Sequence, residues 1–488
     1  MMQQYRELHT SIRSLIESYF SRLHRPVRKN LARLTCAFLY LAWSVRFGYG
    51  GLHLTSIARV LPEGKKFKSS YKWLSRFLKC KYFDASSLAE CMLAVILGNK
   101  PPGWVIVLVD QTTVNGVEVV NAAIPFQGRA VPVAWVDFEY PWKTVDPASQ
   151  NTIERYLLTW LGLAVPHGVR LILIFDRGYA RVELIKDLKH GQQPFLIRGR
   201  RKVIVRTKVR GRQRRLSLGR LPHRMGRPLR YRHVLYHSQK AEPVDVIVYR
   251  GKGFQEPWFL IVPPDSESWL PTEEVVRLYR QRMQIEQCFR DWKSHLGLRG
   301  LHLQVEKSQR LLRLLMGFTL AYLIVLLLGQ DPFAEQLRSH FEQQRRKPRH
   351  GTRRVLSVLS IALYLLSDSR WEQRARKRLI EILARLVQGR GVPLLPAFSP
   401  QKQSSLSSRK FSTFFHCAGE NCPDSHASPL VLSHSDGNSL HHTLRFQKTH
   451  QSLCRDVCRK TPREQTEFAL DNQSRIENGG GKNSPESA

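Results

Sequence analysis

The sequence predicts an α/β fold with a helical N-terminal domain, a β-rich insertion within the α/β core, and a disordered C-terminal tail. Three observations predict it. Two short apolar runs, Trp104 to Val109 and Leu171 to Phe175, read as buried strands, and each is followed at once by an aspartate. Helical segments lie between and around them, the alternation expected of an α/β core. The composition then changes twice along the chain. Residues 188–241 hold 17 Lys and Arg and no Asp or Glu, and residues 401–488 are rich in Ser, His, Asn and Gly with little periodicity.

Residues 1–100 read as helical. Leu31 to Val45 is a long, mostly apolar segment, and Ser56 to Leu61 is a short helix with Thr55 as its N-cap and Pro62 as its stop. Ser69 to Leu78 puts Tyr71, Trp73, Leu74 and Phe77 on one side and Lys72, Arg76 and Lys79 on the other. Such a basic face suits DNA binding and equally suits an ordinary solvated helix. After Pro101-Pro102-Gly103, Trp104 to Asp110 reads as a strand ending in a carboxylate, with Val117 to Ile124 and Ala130 to Val136 as further strands. Asn151 to Leu163 reads as a helix, Arg170 to Asp176 as the second strand ending in a carboxylate, and Arg181 to Lys189 as a short helix.

The basic stretch alternates, as in Lys202-Val203-Ile204-Val205-Arg206, with Gly211 and Gly219 as turn signals. It reads as a β insertion continuing through Val246 to Tyr249 and Trp258 to Val262 until Pro263-Pro264. Helical regions follow at Thr272–Leu296, Ser308–Leu328 and Arg354–Val387. The expected division is therefore 1–100 helical and DNA-binding, 101–199 first part of the core, 200–265 basic insertion, 266–395 second part of the core with C-terminal helices, and 396–488 tail.

Hydrophobic residues make up 42% of the 488, which excludes a wholly disordered polycation. With 77 Lys and Arg against 39 Asp and Glu the formal charge is +38, so the chain gains from releasing counterions on a polyanion. Nucleic acid is the first candidate and an anionic membrane surface the second. The first 30 residues mix charges of both signs and carry no signal-peptide pattern. The one long uncharged run, Leu314 to Gln330, is interrupted by Gly317, Thr319 and Tyr322 and reads as a buried core helix at the lower length limit for a bilayer span. Cys36, Cys80, Cys91 and Cys288 show no pairing pattern and suit a reducing cytosol.

Asp110 and Asp176 stand where ligands usually bind in open α/β sheets. Carboxylates there can hold hard divalent cations, or simply form turns and helix caps. The segment after the insertion adds a third acid. Tyr279, Arg282, Glu286 and Lys293 are spaced by three, four and seven residues, which puts them on one face of an uninterrupted helix. One acid flanked by two cations and a phenol is what a phosphodiester site requires, with Glu for a metal and Arg and Lys for phosphates. A solvated face with Arg–Glu pairing has the same pattern.

This helix resembles the Tyr-x2-Arg-x3-Glu-x6-Lys signature of bacterial insertion-sequence transposases of the DDE type. Asp110 with Thr112-Thr113 resembles the family's first-aspartate motif, although Gln111 replaces the residue often found there, and Asp176-Arg177-Gly178-Tyr179 resembles the second. Gly128 to Trp135 is similar to the strand between them, and Leu54 to Leu78 to the N-terminal helical region. The resemblance covers about residues 30–390 and implies an RNase H-like core interrupted by a β insertion. It implies Asp110, Asp176 and Glu286 as the catalytic acids, binding two Mg2+ ions for which Mn2+ can substitute, in a two-metal displacement at phosphorus. It also implies terminal inverted repeats and target DNA as partners, a homodimeric synaptic complex, no membrane, and a cytoplasmic, nucleoid-associated location.

Tyr279, Arg282 and Lys293 are then expected at phosphates near the cleaved bond, and Arg200, Arg201 and Lys202 as further DNA contacts. Relatives commonly hold a flipped base against a Trp of the insertion. Trp258 is the candidate for that role, with Trp269 as competitor and a place in the strand core as the other reading. Arg345 to His350 with Arg353-Arg354 suits DNA backbone or a solvated loop. The pairs Cys417/Cys422 and Cys454/Cys458 suggest zinc only faintly, because 32 residues separate them. A transposase-derived DNA-binding protein without catalysis is the alternative function. A membrane protein using residues 314–330 leaves the four-residue signature unexplained.

Overall fold

Alternate small clusters of apolar residues at helical spacing build the N-terminal part, seen in a computed structural model that describes residues 2–43, 52–61, 66–80, 82, 88–99, 103–114, 116–139, 147–298, 301, 308–342 and 356–392. Helix α1 (Met2–Tyr19) buries Tyr5, Leu8, Ile12, Leu15 and Ile16 along one stripe. It is followed by α2 (Arg25–Trp43), α3 (Leu54–Arg59), α4 (Phe67–Leu78) and α5 (Leu88–Leu97). The basic residues Lys72 and Arg76 of α4 and Lys79 at its C-cap are exposed, as expected from the spacing. Thr55 is not the cap of α3: the helix begins one residue earlier at Leu54, and His53 takes the cap position without a side-chain bond. Leu54 itself is buried, so packing sets the start of the helix more strongly than capping does. The tail from 396, with its four cysteines, and the basic cluster from Arg345 to Arg354 lie outside the described residues.

Five strands form the centre: β1 (Trp104–Val114), β2 (Val117–Phe126), β3 (Arg129–Glu139), then after α6 (Pro147–Ala164) β4 (Arg170–Phe175), and after α7 (Val182–His190) β5 (Phe195–Arg198). They lie in the order β3-β2-β1-β4-β5. The first three are antiparallel, and β4 and β5 run parallel to β1. This order and direction is the RNase H-like sheet. Leu171 to Phe175 is buried throughout, as a strand covered on both faces must be.

The insertion does not form a separate sheet. Strands β6 (Ile204–Val209), β7 (Arg212–Ser217), β8 (Leu229–Tyr236), β9 (Glu242–Tyr249) and β10 (Trp258–Val262) extend the same one, because β10 pairs with β5. The full order is β3-β2-β1-β4-β5-β10-β9-β8-β6-β7. Beyond it come α8 (Thr272–Arg280), α9 (Met283–Arg290), a π-helical turn (Asp291–His295), α10 (Ser308–Gln330), α11 (Pro332–Gln336), α12 (Arg338–Phe341), α13 (Val358–Ser367) and α14 (Glu372–Val387).

Helix α10 contains the uncharged run of the sequence, Leu314 to Gln330, and it is a core helix, packed by α2, α13, α14 and β3. Helix α1 lies on α14, where the Tyr19 hydroxyl donates to the Leu386 carbonyl at 2.7 Å. The rings of Phe38 in α2 and Phe318 in α10 meet edge to face at 5.3 Å, and Phe318 meets Trp292 of the π turn at 5.6 Å. The helices before the sheet and those after it thus share one core, and that core reaches the turn following Glu286. Cys36, Cys80, Cys91 and Cys288 are free thiols.

Where α10 passes α13, Gly329 lies so close that a methyl group would meet the Val358 carbonyl carbon at 2.7 Å. Gly329→Ala should therefore cost about 1–3 kcal/mol by overpacking. A denaturant midpoint lowered at unchanged slope checks it.

Candidate functional site

Strand register brings the first two acids together. Parallel pairing of β1 with β4 runs up to Val109 opposite Phe175, so Asp110 and Asp176 are the next residues on two adjacent strands. Asp176 follows the end of β4 and stands at the cap position of a single 3-10 turn, Arg177–Tyr179. Asp110 does not end its strand. It is the seventh residue of β1, which continues to Val114 because β2 pairs with it from the other side, Asp110 opposite Asn121. Only the parallel partner stops there.

The third acid arrives on a distorted helix. The expected uniform helix over Thr272–Leu296 is broken between α8 and α9. The amides of Gln281, Arg282, Gln284 and Ile285 bond to carbonyls three residues back, at 2.9–3.2 Å, so the chain is overwound there. Such winding stacks residues i and i+3, which aligns Tyr279 with Arg282. After α9 the chain is underwound into the π turn, which contains Lys293. Lys293 is half-buried there, so uniform helical spacing no longer describes its position relative to Glu286.

Arg282 is at the centre of the site, with a side chain only 7% exposed. Its Nη1 donates to Asp110 Oδ2 at 3.1 Å, its Nε lies 3.9 Å from Asp176 Oδ1, and its Nη2 donates to Glu286 Oε1. One guanidinium thus faces all three acids. The Tyr279 hydroxyl donates to Asp176 Oδ1 at 3.2 Å, and the Gln111 amide donates to Asp110 Oδ1 at 2.9 Å.

Burial sets the protonation balance. Desolvation pushes the Asp110 carboxyl up to about 6, against the opposing pull of Arg282 and the Gln111 amide. Burial also works against the charge of Arg282, but Asp176, Glu286 and Asp110 together outweigh it and raise its pKa. Tyr279 is held well above the usual phenol range, by burial first and by Asp176 next.

Aromatic residues wall one side. Trp258, the first residue of β10, meets Tyr279 edge-on at 4.9 Å and packs against Phe254 at 4.7 Å. It is half-buried, so it is neither sealed in a strand core nor fully open. Trp269 stacks on Trp104 at 5.6 Å, at the start of β1. Six residues of strand separate Trp104 from Asp110, about 20 Å at the usual rise, so Trp269 is placed away from the acids. Arg200 is exposed and donates to the carbonyls of Arg177 at 3.1 Å and Gly178 at 3.5 Å, the turn that follows Asp176. Arg201 and Lys202 beside it are exposed.

One supporting cluster was hidden in the sequence. Asp291, fully buried, forms an ion pair with Arg129 at 2.5 Å and accepts from the Tyr322 hydroxyl at 2.8 Å. Its pKa is raised because burial outweighs Arg129 and Tyr322. These contacts tie the π turn to the start of β3 and to α10. Asp291 looks like an ordinary charged helix residue. The available signal was Tyr322, a hydroxyl in an apolar helix that needs a buried partner. Glu256 was also unforeseen: it joins Arg198 at 2.7 Å to Arg177 at 3.6 Å.

Three carboxylates converging from β1, β4 and α9 supply only hard oxygen donors, the donor set of Mg2+ and Mn2+. Among the described residues, however, no three acids, histidines or cysteines stand close enough to share one ion. The Arg282 guanidinium lies between them. The donor chemistry fits a divalent metal provided that Arg282 withdraws.

Residues 134–324 match the family model of the transposase DDE domain. The matched stretch begins within β3 and includes Asp176 and Glu286, while Asp110 precedes it by 24 residues. No curated protein matches the chain.

The raised pKa of Asp110 has a consequence for stability. The folded state holds the proton more tightly than the unfolded state, so without metal this residue weakens the fold as pH rises from about 4 to about 6, and the penalty is complete above that. Asp110→Asn should stabilise the metal-free chain by about 1–3 kcal/mol above pH 6, with the gain vanishing towards pH 4. Denaturation at a series of pH values checks both the sign and the window.

Proposed function

We propose, from the match of residues 134–324 to the transposase DDE domain, that the chain is an insertion-sequence transposase that mobilises its own element by a cut-and-paste route. In this reading it binds the terminal inverted repeats, hydrolyses a phosphodiester bond at each element end, and joins the freed 3′-hydroxyl to target DNA. The observation that carries the reading is the convergence of Asp110, Asp176 and Glu286 on Arg282.

Asp110, Asp176 and Glu286 would hold two divalent ions, Mg2+ or Mn2+. When bound, such ions supply Lewis-acid stabilisation of the attacking and leaving oxygens of an in-line displacement. The remaining work belongs to the protein. Arg282, released from the acids, would turn its fork of N–H donors to a phosphate beside the cleaved bond. Tyr279 keeps Asp176 oriented through its hydroxyl, and it stays protonated because its pKa lies far above neutrality. Trp258 offers a half-open aromatic face beside Tyr279 for an unstacked base. Arg200, Arg201, Lys202 and Lys293 would add backbone contacts, and two chains would pair the two element ends in a synaptic complex. The exposed basic face of α4 suits recognition of the repeats.

Asp110→Ala, Asp176→Ala and Glu286→Ala should each reduce strand cleavage at the element ends by at least about 100-fold, the scale expected for loss of a positioned catalytic group. Binding to the same ends should change only a few-fold. Cleavage on labelled end fragments with Mg2+, beside a mobility shift, measures both. Cutting at the normal rate by any of the three rules out that residue as a catalytic acid. A wild-type chain that binds the ends and never cuts leaves a DNA-binding protein without catalysis.

A further inference from the structure

The 17 basic residues of 188–241 have no acid in their own stretch, yet the fold supplies acids to some of them. Lys189 pairs with Glu242, Arg198 with Glu256, Arg230 with Asp245, Arg232 with Glu267, and Lys240 with Glu183. Six others sit together on the β6–β7 hairpin: Arg206, Lys208, Arg210, Arg212, Arg214 and Arg215. No ion pair with any described residue neutralises them, and all six are exposed.

The hairpin is also unfavourable to itself. Arg206 lies directly opposite Arg215, which puts like charges on one face of an antiparallel pair. Its two-residue turn is Arg210-Gly211, both with positive φ (51° and 78°). Glycine takes that shape freely, whereas an arginine in it is strained by about 1 kcal/mol. Strand β7 is the last of the sheet, and a charged edge does protect against aggregation. Edge protection alone requires neither facing arginines nor an arginine in a left-handed turn. Repulsion and strain retained together mark a surface built to meet negative charge.

We propose that the β6–β7 hairpin is a clamp for the phosphate backbone of duplex DNA, gripping it well away from the acids. The proposal rests on the reading of the acidic site as a DNA-cutting centre and adds a position to it. From β4, which leads into Asp176, the sheet runs through β5, β10, β9, β8 and β6 to β7, six strand spacings. At ~4.8 Å each this is about 29 Å. A duplex rising 3.4 Å per base pair covers that span in about eight to nine base pairs. Duplex lying along the sheet with its cut bond at the acids thus reaches the hairpin close to one helical turn away. The occupant is duplex because its two phosphate rows give the charge density that an unneutralised hairpin of six cations complements.

The test compares two full-length variants that lose equal charge. One is Lys208→Gln/Arg212→Gln/Arg214→Gln, on the hairpin. The other is Arg232→Gln/Lys240→Gln/Arg370→Gln, in which each cation already has an acid partner. Binding of each to a 24-base-pair mixed-sequence duplex is titrated at several salt concentrations. The hairpin variant should lower the slope of log affinity against log salt by about 2.7, at about 0.9 for each lost phosphate contact, while the paired variant lowers it by less than about 1. Thermal melting of the hairpin variant at or above that of the wild type shows that folding is intact and the repulsion relieved. Equal slopes for the two variants overturn the clamp, since net charge alone would then account for binding. Single-stranded RNA of equal length competing better than the duplex overturns the choice of occupant. A wild-type chain indifferent to duplex DNA overturns the clamp together with the cutting site, whereas equal slopes leave the cutting site standing.

Discussion

Three carboxylates and one guanidinium determine how the centre of this protein is built. Left to themselves, Asp110, Asp176 and Glu286 would repel each other, and burial already makes Asp110 reluctant to ionise. Arg282 holds them together by facing all three at once. The arrangement has requirements on either side. Parallel register must align β1 with β4, and the chain between α8 and α9 must tighten so that Arg282 comes over Tyr279. The π turn must then relax the helix again, and Asp291, pinned by Arg129 and Tyr322, fixes where that happens. Local irregularity of both kinds is typical of helices that carry function.

The same balance describes a site that is held ready rather than open. A guanidinium among acids keeps their geometry while excluding other cations from the centre. Phosphate competes for arginine through the same bidentate geometry that carboxylate uses. In the proposed reading, arrival of nucleic acid and entry of metal ions would be two halves of one exchange of partners, with Arg282 as the shared participant. Trp258 and Tyr279, packed edge to face beside Asp176, give that exchange an aromatic wall on the insertion side.

Much of this was legible in the residues, for identifiable reasons. Buried strands such as Leu171 to Phe175 are short and apolar throughout, so their place and type could be read directly. The helix carrying Tyr279, Arg282 and Glu286 was visible from its spacing. The winding of that helix was not. Overwinding at Gln281–Ile285 and the π turn at Asp291–His295 change the hydrogen-bond partner by one residue and leave apolar periodicity almost untouched. The strand holding Asp110 looked shorter than it is, because the sequence beyond Asp110 is polar and only pairing with β2 keeps it extended. Charge was the other blind spot. A stretch without acids looks uniformly cationic, yet Glu183, Glu242, Asp245, Glu256 and Glu267 reach it from both flanks, and only the fold reveals which cations stay uncompensated.

The packing of α1 on α14 and of α2 on α10 bears on how the protein comes into being. Helices α1 and α2 are synthesised first, but the surfaces that cover Leu8, Ile12, Leu34 and Phe38 come from segments made about 300 residues later. During that interval α1 and α2 have each other as partners, while the parts of their apolar faces that meet α14 and α10 stay uncovered. Contacts of such long sequence separation slow folding, and exposed apolar surface in the meantime invites association with other chains. Arg282 and Glu286 are also late to arrive, so a nascent chain holds two facing aspartates without their counter-ion. The site has all its acids once Glu286 has emerged, whereas the helical core waits for α10 and α14, so the acidic centre is supplied before the core that supports it is closed.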